Sequence, residues 1–320
     1  MTPRVLVTGA GGQIGSELVT ALIRRYGRSN VFATDKVTTR NQSAVALEEL
    51  DVLDQQSVER ALRRHDADTV YHLAAILSAV GEENPDLAWD VNMRGLKNVL
   101  DAATRAGIGR LFWPSSIGVF GPDAPKVLAP QETALNPTTM YGVTKVSGEL
   151  LCEYYSLKHR LDVRSIRFPG LISSEARPGG GTTDYAVEIF YSAIQKGAYT
   201  CFLREDTTLP MMYMTDALRG AIKIMEVEGS RVKLHIGYNL AAMSFSPAEL
   251  AAEIRKHIKE FRITFSPDSR QKIADSWPRS IDDSAARQDW GWEPEYDLER
   301  MVSEMLDRLR VRLSAKSKDV

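Results

Sequence analysis

A chain of 320 residues, 43% hydrophobic and 26% charged, is long enough to bury one large core or two unequal lobes. Its net charge of −2 offers no electrostatic footprint for nucleic acid or an anionic membrane, which excludes both as partners. Two cysteines, Cys152 and Cys201, are too few for a disulfide framework and point to a reducing, cytoplasmic compartment, and the scattered histidines show no metal-ligand spacing.

In chain order, "RVLVTGA" (Arg4–Ala10) reads as a buried strand that starts close to the first residue. "QIGSELVTALIRRYG" then sets Ile14, Leu18 and Leu22 on one helix face and stops at Gly27. The strand "NVFATD", the helix "DQQSVERALRRH", the strand "TVYHLAA", the helix "VNMRGLKNVLDAATRAG" and the strand "RLFWPSS" follow. A further helix lies in "PTTMYGVTKVSGELLCEYY", and "DVRSIRF" adds a strand near residue 165. Strands alternating with helices predict an α/β fold, a doubly wound parallel sheet.

Past that strand the pattern loosens. Helices are expected from about Thr183, Asp216 and Pro247, with short strands such as "RITFS" between them. Ser246-Pro247-Ala248-Glu249 is a capping box with proline at the first helical position. "VKLHIGYN" reads as a strand that returns to the main sheet. The expected division is a nucleotide-binding domain over 1–170, with a return segment near 216–242. A smaller, mostly helical substrate lobe would comprise 171–215 and 243–320. No apolar stretch reaches membrane-spanning length, so a soluble protein is expected.

"VTGAGGQIGSEL" spaces Gly9, Gly12 and Gly15 between a strand and a helix. The first allows a tight turn. The second lets backbone N–H groups reach a pyrophosphate at the helix N-terminus beside Gln13 and Ile14, and the third lets helix and strand pack closely. Asp35 ends the next strand, with Lys36 after it, where a carboxylate accepts both ribose hydroxyls of an adenosine. It would repel a 2′-phosphate, so NAD is expected over NADP. Asp51 and Val52 fall where the adenine edge would lie.

Tyr141 and Lys145 are four apart, on one helix face. Free tyrosine ionises near about pH 10, and a nearby ammonium together with an oxidised nicotinamide would bring it into the range of a neutral-pH base. "WPSSIGVFG" supplies Ser115 and Ser116 to orient a substrate oxygen. Together with the glycine turn these residues describe a hydride-transfer site.

In these features the chain resembles the extended short-chain dehydrogenase/reductase superfamily, over almost its whole length: Gly9-x-x-Gly12-x-x-Gly15, Asp51, Leu73–Ala75, Asn92, Ser116 and Tyr141-x-x-x-Lys145. The resemblance implies a Rossmann fold and NAD held by the residues above with Leu73, Ala74, Ala75, Asn92 and Leu171. It also implies Ser116 as the polarising hydroxyl, Tyr141 as acid/base and Lys145 on the ribose. Ser116 is preferred to Ser115 because it stands five before Gly121.

Two departures argue against a nucleotide-sugar substrate. Pro169 in "IRFPGLIS" replaces the superfamily's substrate asparagine, and Leu209 in "LPMMYMTD" stands where an arginine would grip a diphosphate. "ARPGGGTTDYAV" offers backbone N–H groups and two hydroxyls ahead of a helix, which suits a small carboxylate or serves as a connection with a threonine cap. With "SSIGVFGP" and "DSWPRSIDDSAARQDWGW" it resembles the short-chain L-threonine 3-dehydrogenase family. That resemblance implies L-threonine as substrate, a homodimer, and a pocket from Ser78, Ser115, Ser116, Tyr141, Gly180, Thr182 and Thr183. Trp277 would pack over it as a lid or serve as a core aromatic. The alternatives are a nucleotide-sugar epimerase or dehydratase and a non-catalytic NAD-binding regulator.

Overall fold

The structure is a computed structural model that describes residues 2–38, 45–176, 179, 181–235 and 237–316. Its strands begin with β1 (Val5–Thr8), β2 (Val31–Asp35), β3 (Glu48–Glu49), β4 (Thr69–His72), β5 (Arg110–Ser116) and β6 (Asp162–Phe168). The smaller strands β7 (Gly170–Ile172), β8 (Ala198–Cys201), β9 (Leu209–Tyr213), β10 (Tyr238–Asn239), β11 (Met243–Phe245) and β12 (Arg262–Phe265) follow. Seven of them form one parallel sheet in the order β10-β6-β5-β4-β1-β2-β3. The order reverses between β1 and β4, so a crevice opens above their carboxyl ends, where α/β sheets take their ligands.

Helices cover both faces. One face carries α1 (Gln13–Tyr26), whose Leu18 and Leu22 are wholly buried and by that burial contribute about 1.5–3 kcal/mol each. The other carries α2 (Gln55–Arg64), and, after the short α3 (Ser78–Glu83) and α4 (Pro85–Trp89), α5 (Leu96–Ala106) and α6 (Met140–His159). The helical pattern expected from Val91 is real but enters α5 through a π-helical turn at Asp90–Gly95. A Cβ at Gly95 would come within 2.8 Å of Val52, so glycine permits that close approach.

The rest of the chain contributes α7 (Tyr185–Lys196), α8 (Met214–Glu226), α9 (Pro247–His257), α10 (Arg270–Ser276), α11 (Ser284–Trp290) and α12 (Leu298–Lys316). α8 joins α1 on the main sheet, while α7, α9 and α12 enclose a second apolar core with Phe190, Leu250 and Leu306. This part is less purely helical than its pattern suggests. It holds a β11-β9-β7 sheet and a β12-β8 pair, whose strands of three to five residues are too short to read by periodicity. Among its described residues, the "VKLHIGYN" segment reaches the main sheet through Tyr238 and Asn239, which pair with Ile166 and Arg167. The Ser246 capping box forms with both its hydrogen bonds. Both cysteines are buried and unpaired. Among the described residues no helix is long and apolar enough to cross a membrane.

Candidate active site

The glycine turn comes directly off β1. Gly9 has φ +70°, and a Cβ there would lie 2.5 Å from the Ala74 backbone nitrogen; at Gly15 it would lie 2.3 Å from the Gly9 carbonyl oxygen. Only glycine permits both approaches. Gly12 caps α1, whose first residues are Gln13 and Ile14. Asp35, at the end of β2, accepts a 2.9 Å bond from the Gly11 N–H, so its carboxylate is anchored to the turn. Beside it Lys36 pairs with Asp51 at 2.7 Å. Burial works against the Asp51 charge, but the Lys36 ammonium and the Leu53 N–H together hold its carboxyl below its usual range. Val52 is buried against Gly95, and its carbonyl accepts from Asn98. A backbone cradle that side chains would fill, with a carboxylate fixed at its far end, fits the pyrophosphate and ribose of a dinucleotide.

From this cradle a cleft of about 150 Å³ runs along the carboxyl ends of β4, β5 and β6. Gln13, Ile14, Leu73, Ala75 and Leu171 line its cofactor side, and Ser116, Tyr141 and Lys145 its floor. Side chains alternate along β5. Ser116 therefore turns toward Tyr141, while the Ser115 hydroxyl donates to Glu149 at 2.5 Å. Ser115 also lines the cleft, but its hydroxyl proton is committed to that carboxylate.

α6 is started by Thr139, whose hydroxyl accepts from the Gly142 N–H, and this sets Tyr141 in the first turn. A Cβ at Gly118 would lie 3.1 Å from the Tyr141 ring, so the bare glycine makes room for it. Burial pushes the Tyr141 phenol up to about 12, against the lowering effect of Ser116. Lys145 does not reach the hydroxyl. Its ammonium donates to the Pro114 carbonyl at 2.6 Å and lies 5.5 Å from the centre of the Tyr141 ring. Burial lowers Lys145 to about 8. The chain's own groups thus favour the protonated phenol.

Asn92 is engaged within the protein. Its buried amide is committed to the backbone of Ile76, at 2.8 and 3.1 Å, and to the Thr144 hydroxyl at 3.0 Å. It braces the loop after β4 from behind rather than facing the cleft.

The opposite wall is Ser78, Thr182, Thr183 and Asp184. Gly180 lies outside the described residues. Gly181 donates its N–H to the Asp184 carboxylate at 2.7 Å, so one backbone donor of the expected anion cradle is already used. Thr182 lines the cleft, and its buried hydroxyl has no hydrogen-bond partner among the described residues. Thr183 lines it too, but its Cβ and Cγ2 press on Gly170. Trp277 is buried in the second core and also lines the cleft. Asp184 and Glu149 escaped the sequence reading. Glu149 carried a signal, a charge one turn past Lys145 on the buried face of α6.

A family model described as the NAD dependent epimerase/dehydratase family matches residues 5–241. An uncharacterized epimerase/dehydratase from Staphylococcus haemolyticus is 50% identical over 307 residues, 95% of this chain and 96% of that protein. Among solved structures, the holo form of an L-threonine dehydrogenase from Cupriavidus necator is 50% identical. The match covers 96% of this chain and 100% of that one, with a TM-score of 0.94. A monomeric L-threonine 3-dehydrogenase from a metagenome is 50% identical over 97% of this chain and 99% of that one, with a TM-score of 0.93. By these similarities the chain is an NAD-dependent oxidoreductase and belongs to the epimerase/dehydratase family of extended short-chain dehydrogenases/reductases.

Proposed function

We propose that the chain is an L-threonine 3-dehydrogenase, oxidising the β-hydroxyl of L-threonine to give 2-amino-3-oxobutanoate. The observation that carries this reading is the pairing of the Ser116–Tyr141 hydroxyls with a facing wall of one buried, unpartnered hydroxyl and one carboxylate, Thr182 and Asp184. An α-amino acid presents a cation and an anion two bonds apart. Asp184 meets the ammonium, and the Thr182 and Ser78 hydroxyls meet the carboxylate. The β-hydroxyl then falls to Ser116, which orients it, and to Tyr141, which takes its proton; the nicotinamide, when bound, is the hydride acceptor. Pro169 on the cleft and Leu209, wholly buried in β9, offer a diphosphate nothing. NAD⁺ reduction is the test. NADH should form with L-threonine and not with UDP-sugars, whereas epimerised or dehydrated UDP-sugar with no threonine turnover would establish the rival reading.

Asp35 makes NAD the preferred cofactor in this proposal. Its carboxylate, held by the Gly11 N–H, would lie against a 2′-phosphate. Asp35→Ser should cut the NAD⁺ over NADP⁺ preference in kcat/KM by roughly ten- to hundredfold, the value of a charged hydrogen bond together with relieved repulsion. Equal use of both cofactors by the unaltered protein would remove the assignment.

A homodimer completes the reading. Val143, Leu150, Tyr154 and Leu157 are exposed at helical spacing on α6, beside exposed Leu87 and Trp89 of α4. A contiguous apolar stripe of this kind, on a surface that can face its own copy, suits a two-fold contact. Sedimentation should give a dimer that Leu150→Asp with Leu157→Asp converts to monomer. An unaltered protein that sediments as a monomer, like the monomeric metagenome dehydrogenase, would overturn it.

A further inference from the structure

α6 carries a buried charge that the reaction as described does not use. Glu149 is 1% exposed, one turn past Lys145 and two past Tyr141. One carboxylate oxygen accepts from the Ser115 hydroxyl at 2.5 Å and from Arg167 Nε at 2.8 Å; the other accepts from Arg167 Nη2 at 2.7 Å. Arg167, on β6 and equally buried, donates onward to the Gln131 carbonyl at 3.0 Å and to Asn239 Oδ1 at 3.2 Å. Gln131 closes the ring by bonding Gly237 and the Asn239 N–H. A Cβ at Gly237 would lie 2.7 Å from both Glu149 and Arg167, so the approach of that segment needs glycine.

Stability alone does not explain such a pair, since well-packed apolar groups serve a core as well or better. The position of Glu149 is more telling. It takes the hydroxyl of the residue next to Ser116, and it lies on the same helical face as the two α6 groups of the site. We propose that Glu149 is a positioning residue for the oxidation: through Ser115 and Arg167 it locks the end of β5 against α6, setting Ser116 opposite Tyr141, and it supplies the negative charge that faces Lys145.

The surroundings of Lys145 leave that last role to Glu149. Burial lowers the Lys145 ammonium, while Cys152 and Glu149 oppose the fall. The Cys152 thiol is itself pushed far up by burial and is neutral at working pH. His72, from β4, is driven down to about 3 by burial and then by Lys145, so it too is neutral. Tyr141 on α6 is protonated, and β5 presents no ionisable group to Nζ, only the Pro114 carbonyl at 2.6 Å and the Trp113 ring at 4.5 Å. Arg167 pairs with Glu149 at 2.7 Å, yet of the two only Glu149 acts on the Lys145 ammonium.

The inference rests on the proposed dehydrogenase reaction, so one of its readouts needs no turnover. Glu149→Gln alone leaves Arg167 as a lone buried charge, and the variant for the test is therefore Glu149→Gln with Arg167→Gln. In protein labelled with ¹³C-lysine, the titration of Lys145 should move about one pH unit lower in this variant, whatever the substrate. With threonine, kcat should fall roughly tenfold or more and the alkaline limb of its pH profile should move down with Lys145, while KM changes little. Ser115→Ala, which spares the ion pair, should lower kcat by about three- to tenfold and leave the limb in place. It decides the positioning role if the double variant fails to fold. An unmoved Lys145 titration overturns the electrostatic part, and an unchanged kcat in Ser115→Ala overturns the positioning part. Absence of threonine oxidation in the unaltered protein overturns the reaction instead, and leaves the titration to judge Glu149.

Discussion

Tyr141→Phe should fold, bind NAD⁺ and fail to turn over. The substitution keeps the ring that fills the space left by Gly118 and removes only the hydroxyl beside Ser116. Its melting temperature should therefore stay close to that of the unaltered protein. Loss of the acid/base group is expected to reduce kcat by about 10²–10⁴-fold. The phenol also sets a pH dependence. Burial holds it up to about 12 in the chain alone, and the phenolate is the form that accepts a proton. The rate of oxidation should therefore rise with pH from neutrality, with a limb that Tyr141→Phe abolishes. Stopped-flow NADH formation across that range is the measurement. More than a tenth of the activity surviving in Tyr141→Phe would place the base elsewhere.

The second large effect belongs to the far wall of the cleft. Thr182 buries a hydroxyl with no partner among the described residues, a state that costs stability unless a ligand supplies the bond. Thr182→Val keeps the shape and removes the hydroxyl. It should leave the unfolding free energy unchanged or raise it, while kcat/KM for threonine falls roughly ten- to hundredfold and NAD⁺ affinity holds. A side chain that only packs would leave activity intact. Threonine amide and the corresponding amino alcohol lack the carboxylate and should be poor substrates of the unaltered enzyme. If either is oxidised as well as threonine, or if Thr182→Val keeps full kcat/KM, the wall does not bind the amino-acid end. Thr183, whose methyl group presses on Gly170, should tolerate serine less well in stability than in rate.

The features legible in the chain are those whose partners lie within one element or one turn. Gly9, Gly12 and Gly15 read as a cradle because a strand, a tight turn and a helix start occupy consecutive residues. Tyr141 and Lys145 share a face because four residues are about one helical turn. Long alternating runs likewise revealed the parallel sheet. Tertiary structure decided what depends on strands and helices meeting. Which way Ser115 and Ser116 point follows from the register of β5 beside β6, in which Ser115 pairs with Arg167 and Ser116 with Phe168. The link from Ser115 to Glu149 spans 34 residues, and that from Arg167 to Asn239 spans 72. No periodicity encodes such pairs, because each side chain's local environment is ordinary until the sheet brings it to its partner. The same holds for the cleft: Thr182 and Tyr141 become facing groups only once β7, running beside β9, carries the chain back over the carboxyl ends of the main sheet. Local spacing could name the chemistry, but packing chose which hydroxyls would serve it.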